Sequence, residues 1–304
     1  MTVAAASERD VTVAARPRRP FRWSRLLLHG TILLLIVIWL LPTIGLFINS
    51  IRTPVDVART GWWNAFLPPW NFTIDNYSQV LAKNGIAQAF VNSLLITIPA
   101  TIIPIAVGSF AAYAFSWMQF RGRDWVFVIL VALLVIPLQT TFVPLLTILG
   151  PKGIHLLGAG PGAFVAVWLA HTGYGLPFAI FLLTGYMRGL PKEIFESAEI
   201  DGAGHASMFF RLAIPMSIPV IAALAIFQFL FVWNDLLVAL MFIGAQNAAN
   251  LPLTIAIANL STSLGGDWQL LMAAAFISMA LPLIVFFALQ RYFVRGITGG
   301  AVKG

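Results

Sequence analysis

Six separate stretches of this chain are each about as long and as apolar as a helix that crosses a lipid bilayer. They are Leu26–Asn49, Phe90–Trp117, Trp125–Leu149, Gly162–Met187, Met216–Leu240 and Leu270–Leu289. A spanning helix needs ~20 mostly apolar residues, because the hydrocarbon core offers no water to unpaired backbone groups. Composition agrees. Of the 304 residues 60% are hydrophobic and 10% charged, against roughly 25% charged in a soluble domain. A water-soluble fold leaves too much of its chain at the surface to hide such a sequence. The expected fold class is therefore all-α integral membrane, with six transmembrane helices.

The net charge is +7, from 18 Lys and Arg against 11 Asp and Glu. In a soluble protein such an excess points to nucleic acid. Here the basic residues flank the apolar runs, so they report orientation, and no nucleic-acid partner is expected. Arg9, Arg16, Arg18, Arg19, Arg22 and Arg25 precede the first run. Arg121 and Arg123 follow the second, Arg188, Lys192 and Arg211 follow the fourth, and Arg291, Arg295 and Lys303 follow the sixth. Only Arg52, Arg59, Lys83 and Lys152 fall in the alternate connections. Both termini are thus expected in the cytoplasm, in a multi-pass protein of the inner (plasma) membrane, and six spans give that parity.

The basic stretch before the first run also fits a signal peptide. The run is longer than a signal core and no small-residue cleavage site follows it, so it reads as a retained helix. Residues 1–20 lack periodicity and read as a disordered cytoplasmic tail. Residues 21–304 read as one transmembrane domain, with a cytoplasmic loop at about 190–213. The first external connection holds Trp62, Trp63 and Trp70, which fit either an anchor at the headgroup level or a docking surface for an external partner.

Several chemistries are excluded. The chain has no cysteine, and His29, His155, His171 and His205 stand too far apart for metal-ligand spacing. No Gly-x-x-x-x-Gly-Lys-Ser/Thr loop is present, so any ATP belongs to another subunit. A membrane-embedded enzyme would need paired carboxylates, a Ser–Lys pair or a metal cluster inside the spans. A proton-coupled secondary transporter would need ionisable relays there. Neither pattern is visible, and neither alternative accounts for the loop after the fourth run.

That loop, residues 190–204, reads as a short amphipathic helix. Pro191 suits a first helical turn. Glu193, Glu196 and Glu199 recur every third residue, and Ile194, Phe195, Ala198 and Ile200 supply an apolar side. Gly202 and Gly204 allow the left-handed backbone that ends a helix. An acidic knob amid basic flanks either connects two spans or enters a groove on another protein.

The string Glu196-Ser197-Ala198-x-x-Asp201-Gly202-Ala203, with Phe209 and Ile214-Pro215 behind it, resembles the EAA loop of ABC importer permeases. Ser197 stands where that family usually has a second alanine. The resemblance extends over nearly the whole chain from about Arg22. Trp70 through Tyr77, Phe90 through Leu94, Ala111 through Phe115, Phe231 through Asp235 and the ending from Gln290 to Gly304 are similar to the second, six-span permease of maltose-type carbohydrate importers. Trp62-Trp63, Trp168 through Thr172 and Tyr186-Met187 are most similar to the α-glucoside or glucose branch.

The resemblance implies a type I ABC importer permease with a cytoplasmic coupling helix and no enzymatic activity of its own. That helix would sit in a cleft of an ATP-hydrolysing subunit, with Glu196, Ala198, Asp201, Gly202, Ala203, Phe209 and Pro215 as coupling residues. Implied partners are a homologous second permease, two ATPase subunits, an external solute-binding protein, a sugar and the lipid membrane. The chain itself would bind no cofactor, with ATP and Mg on the ATPase subunits.

Polar groups at membrane depth are costly and mark candidate contacts to the solute. Gln139, His171, Tyr174, Gln228 and Asn234 are such groups, and Trp233 offers a stacking surface. Amide and aromatic groups suit a sugar's hydroxyls and C–H faces. Each could equally hydrogen-bond a neighbouring helix. In maltose-type relatives the partner permease supplies most sugar contacts. Asp235, near the outer end of the fifth run, is read as solvated or paired.

Overall fold

The computed structural model describes residues 23–83, 85–151, 153–157, 162–244, 249–263 and 267–301. The reading of residues 1–20 as a disordered tail lies outside them. In chain order the helices are α1 (Trp23–Ser50), α2 (Pro54–Arg59), α3 (Asp75–Lys83), α4 (Ile86–Trp117), α5 (Arg123–Leu133), α6 (Phe142–Leu149), α7 (Gly162–Met187), α8 (Lys192–Ile200), α9 (His205–Met208), α10 (Ile214–Trp233), α11 (Leu237–Phe242), α12 (Leu253–Ser263) and α13 (Trp268–Ala301). No strand occurs among the described residues; Arg52 and Phe72 form an isolated bridge.

Five helices are long and apolar enough to cross a bilayer: Arg25–Ser50, Ile86–Trp117, Gly162–Met187, His205–Trp233 and Trp268–Arg291. The expected third span is not one helix. It breaks into Arg123–Leu133 and Leu138–Leu149, bent by 100°. Pro137 explains the break, since it lacks an N–H and disfavours helical backbone at Ile136 before it. The N–H groups of Val135 and Ile136 fall back on tight bonds to Ala132 and Leu133, at 3.1 and 3.2 Å. With that pair counted as one, the spans number six.

The fifth span also departs from expectation. It begins at His205 through a π turn at Phe209–Ala213 and stops at Trp233. Asn234 ends it, with its backbone N–H and side-chain amide both donating to the Leu230 carbonyl, at 3.1 and 2.9 Å. Asp235 then starts α11, accepting from the N–H groups of Val238 and Ala239 at 3.3 and 3.0 Å. Asn and Asp compete with the helix for backbone groups, which is why they mark this boundary.

The chain divides into two compact units, Met1–Gly45 and Leu46–Gly304. In the first, side chains from Arg25 to Leu41 are exposed on every side of the helix. In the second, three buried apolar clusters hold the helices together. One joins α4, α6, α7 and α11 through Ile96, Phe142, Val167 and Phe242. Another joins α4, α7, α8 and α10 through Tyr113, Leu183, Phe195 and Leu224. The third joins α3, α4, α10, α12 and α13 through Val80, Ala89, Phe229, Leu253 and Ala273. In the connection between α1 and α3, buried Arg52 donates to the Asn49 side chain at 3.0 Å and to the carbonyls of Asp56 and Gly61 at 3.2 and 3.1 Å. Trp62 is half-buried there, while Trp63 and Trp70 are exposed.

Apolar helices gain little by leaving lipid for one another, so close packing and polar bonds must hold them. Gly108 of α4 supplies close packing, for a Cβ there would lie 2.9 Å from the Cβ of Ala179 in α7. Three of the polar bonds rest on prolines. A proline inside a helix leaves the carbonyl four residues earlier without its N–H partner. Pro99 releases the carbonyl of Leu95, and the Trp168 indole N–H of α7 donates to it at 2.9 Å. Pro104 releases that of Ala100, and the Gln228 amide of α10 donates at 3.2 Å. Pro282 of α13 releases that of Ser278, and the Trp233 indole of α10 donates at 3.0 Å.

Such pairs make a specific prediction. Gln228→Met keeps the volume but leaves the Ala100 carbonyl unpaired, at a cost of about 1–3 kcal/mol. Pro104→Ala supplies the missing N–H within α4. In that background Gln228→Met is expected to cost less by most of that amount, measured by thermal unfolding of the four proteins of the cycle. Equal losses in both backgrounds would show that Gln228 serves some other group.

Candidate functional site

The acidic helix α8 ends in a defined way. The N–H of Gly202 bonds the Glu199 carbonyl at 3.0 Å, and the N–H of Ala203 bonds that of Ala198 at 2.9 Å. This is the Schellman ending, which places its C′ residue in left-handed backbone. Gly202 has φ +82°. Gly204 does not share that conformation, with φ −75°, and instead precedes α9. Ala198 and Ala203 are the pair whose contact accompanies such an ending, and both are half-buried in the cluster around Leu183. Their role is to close the helix and pack it.

Two aromatic contacts fix the loop to the spans. Phe195 is buried and stacks on Trp117, the last residue of α4, at 3.8 Å between ring centroids and 16° between planes. Phe209, in the π turn, stacks on Phe110 of the same helix at 4.5 Å and meets Tyr113 edge-on at 5.4 Å. Pro215 comes just after the π turn, inside the span that begins at His205. That leaves Glu193, Glu196, Glu199, Asp201 and Gly202 exposed, with Ile200 the most open apolar side chain among them at 87%. The expected coupling residues therefore separate. Glu196, Asp201 and Gly202 form an outward surface, while Ala198, Ala203, Phe209 and Pro215 build and anchor the loop. Phe195 was missing from the expected set; its apolar position beside three glutamates was the available signal.

The six candidate solute contacts separate too. A cavity of about 540 Å³ opens where the broken third span meets α7, between Leu134, Thr140, Thr141, Gly173, Tyr174 and Phe231. Tyr174 is the one of the six that lines it. Gln139 is exposed on the turn between two lining residues, Leu138 and Thr140. His171 is buried and faces Asp235, with Nε2 3.7 Å from Oδ2; of the two readings left open for Asp235, solvated or paired, its carboxylate lies beside that ring and caps α11. Gln228 is spent on Ala100 and Asn234 on Leu230. Trp233 offers no stacking face. It is 2% exposed, between Phe229 at 5.7 Å and Phe90 at 5.3 Å. Thr140, Thr141, Gly173 and Phe231 were not among the candidates. The proline at 137 marked the bend, but not which side chains gather at it.

Among the described residues no group of three or more His, Asp or Glu side chains is placed to hold a metal ion.

Residues 104–299 match the family described as binding-protein-dependent transport system inner membrane component. The chain is 52% identical to the osmoprotective compounds uptake permease protein of Synechocystis sp., covering 92% of this chain and 93% of that one. It is 38% identical to the alpha-glucoside transport system permease protein of Rhizobium meliloti, covering 94% of this chain and 98% of that one. Among solved structures it superposes on a chain of a bacterial ABC transporter involved in import of the acidic polysaccharide alginate, with TM-score 0.71, 21% identity, and 90% and 99% of the two chains covered. The fold is accordingly that of a type I ABC importer permease, and the chain belongs to the binding-protein-dependent transport system inner membrane component family.

Proposed function

We propose that this chain is a permease subunit of an ATP-driven importer for a sugar or glycoside, paired with a homologous permease. Two ATPase subunits dock on its cytoplasmic side and hold ATP and Mg, and an external solute-binding protein delivers the solute. The chain itself catalyses no reaction. The observation that carries this reading is the loop around α8: an acidic, outward surface on a helix bolted through Phe195 and Phe209 to one spanning helix. A knob of this kind suits a groove on a partner protein. The relatives named for alpha-glucoside and osmoprotective-compound uptake support the solute class. Closure of the ATPases would push α8, and α4 would carry that push into the bundle. Tyr174 is the candidate solute contact that the cavity retains.

Gly202 and Glu196 transmit force and do not touch the solute. A Cβ at Gly202 would meet nothing within 4 Å in the chain alone, yet φ +82° strains any ordinary residue by about 1 kcal/mol. Gly202→Leu also places bulk where the groove must close. Removing a charged contact at an interface costs about 2–5 kcal/mol. Gly202→Leu and Glu196→Lys are therefore expected to weaken co-purification of the ATPase subunits, or to abolish stimulation of ATP hydrolysis by loaded binding protein. Gly202→Asn, which tolerates left-handed backbone, should retain more of both. Normal transport by Gly202→Leu and Glu196→Lys together would overturn the coupling assignment.

Orientation is tested separately. With fourteen of 18 basic residues on one side, a reporter fused after Gly304 is expected in the cytoplasm and one inserted near Ala82 outside. The opposite result for the C-terminal fusion would sink the six-span arrangement.

A further inference from the structure

The cavity beside the elbow of the third span has an unusual inventory of hydrogens. Thr140 Oγ1 donates to the Pro137 carbonyl at 2.7 Å. Thr141 Oγ1 donates to the Leu138 carbonyl at 2.6 Å, so the 2.7 Å contact between it and Tyr174 uses the tyrosine's hydrogen. A hydroxyl has one hydrogen to give and two lone pairs. The three hydroxyls have thus spent their hydrogens on the protein, and free lone pairs remain on Thr140 and Tyr174.

A fourth acceptor comes from the backbone. Pro177 lies inside α7 and releases the carbonyl of Gly173. Both residues line the cavity, and Gly173 has only backbone atoms to present there. A Cβ on Gly173 would meet nothing within 4 Å, so this position faces open space. The carbonyls of Leu95, Ala100 and Ser278 each receive a side-chain donor. Among the described residues no side chain donates to that of Gly173. The rest of the lining is aliphatic apart from Phe231, with no charged or amide side chain.

The elbow is open in this chain. Irregular backbone at membrane depth is tolerated only where protein covers it or water reaches it. Leu133 to Pro137, at the elbow, are exposed in the chain.

We propose that this cavity is a hydrogen-bond-acceptor site for a neutral polyhydroxylated solute, with the proline-released Gly173 carbonyl, Thr140 and Tyr174 accepting from its hydroxyls. Phe231 and the aliphatic wall cover its C–H face. A uronic acid is disfavoured, because the side chains offer its carboxylate neither a donor nor a cation. The inference rests on the importer reading for its physiological meaning and names the class of solute for which this chain is built.

The natural absence of cysteine makes the test clean, using the assembled transporter with Thr140→Cys as the sole thiol of this chain and thiol-free partners. The reagents are methanethiosulfonates of similar size, one carrying trimethylammonium and one sulfonate. After correction for their rates on a free thiol, the cationic reagent is expected to react about 2- to 10-fold faster, because its charge is attracted, and the sulfonate repelled, by the oxygens of the wall. Maltose should slow labelling, and glucuronate at the same concentration should not. Pro177→Ala returns an N–H to the Gly173 carbonyl and should shrink the cation preference and the protection by maltose. Gly173→Leu fills the open space and should suppress labelling while the ATPase subunits still co-purify. An unreactive Thr140→Cys, a preference for the anionic reagent, equal protection by glucuronate, or no effect of Pro177→Ala would each overturn the site. None of these results bears on ATPase docking, so failure here leaves the importer reading standing, and failure of the Gly202 and Glu196 variants would remove that reading without touching the labelling data.

Discussion

A carbonyl that loses its helical partner inside a membrane has no water to turn to. This bundle creates such carbonyls with prolines and then uses them. Trp168 and Gln228 reach from α7 and α10 to two carbonyls five residues apart on α4, and Trp233 reaches from α10 to α13. Those bonds cross between helices whose apolar faces have little reason to prefer each other to lipid. They also fix rotation, because a donor on one helix meets its acceptor at only one angular setting. Gln228 is central: a Cβ on Gly175 would lie 2.7 Å from its amide, so α7 comes close to the same bond that joins α10 to α4.

α4 is also the helix on which the loop around α8 packs. Phe195 meets it at Trp117 and Phe209 meets it at Phe110, before and after the left-handed turn at Gly202. Trp117 lies seventeen positions beyond Ala100, roughly 25 Å along a helix rising 1.5 Å per residue. The loop around α8 therefore packs on one end of a helix that Trp168 and Gln228 hold at Leu95 and Ala100, towards its start and its middle. The π turn at Phe209–Ala213 lies between the loop and α10. Such turns insert an extra residue into a helix and are common at functional positions. Here the turn lets Phe209 face α4.

Much of this was legible in the sequence, for reasons that differ by feature. Apolar runs of about 20 residues announce spans because length and hydropathy are local properties. The ending of α8 was legible because Gly202 and the glutamates before it act within one turn. The elbow was half legible. Pro137 stood in plain view, but α4 and α7 run on through prolines of their own, and local sequence does not distinguish the cases. The roles of Gln228 and Trp233 were not legible at all. Gln228 lies 128 positions from its acceptor, and Trp233 lies 45 from its own. Whether a polar group at membrane depth serves the solute or a neighbouring helix is decided by what the fold brings opposite it.

That distinction organises the polar chemistry of the whole bundle. The indoles of Trp168 and Trp233 and the amide of Gln228 are committed to released carbonyls. The smaller hydroxyls near the elbow are committed to carbonyls as well. Around the elbow the hydroxyl donors are spent on the protein's own groups, and at Gly173 a released carbonyl is left on the wall of the cavity. The same proline chemistry that ties the helices together thereby determines which hydrogen-bonding partner the cavity can accept: one that brings its own hydrogens and carries no negative charge.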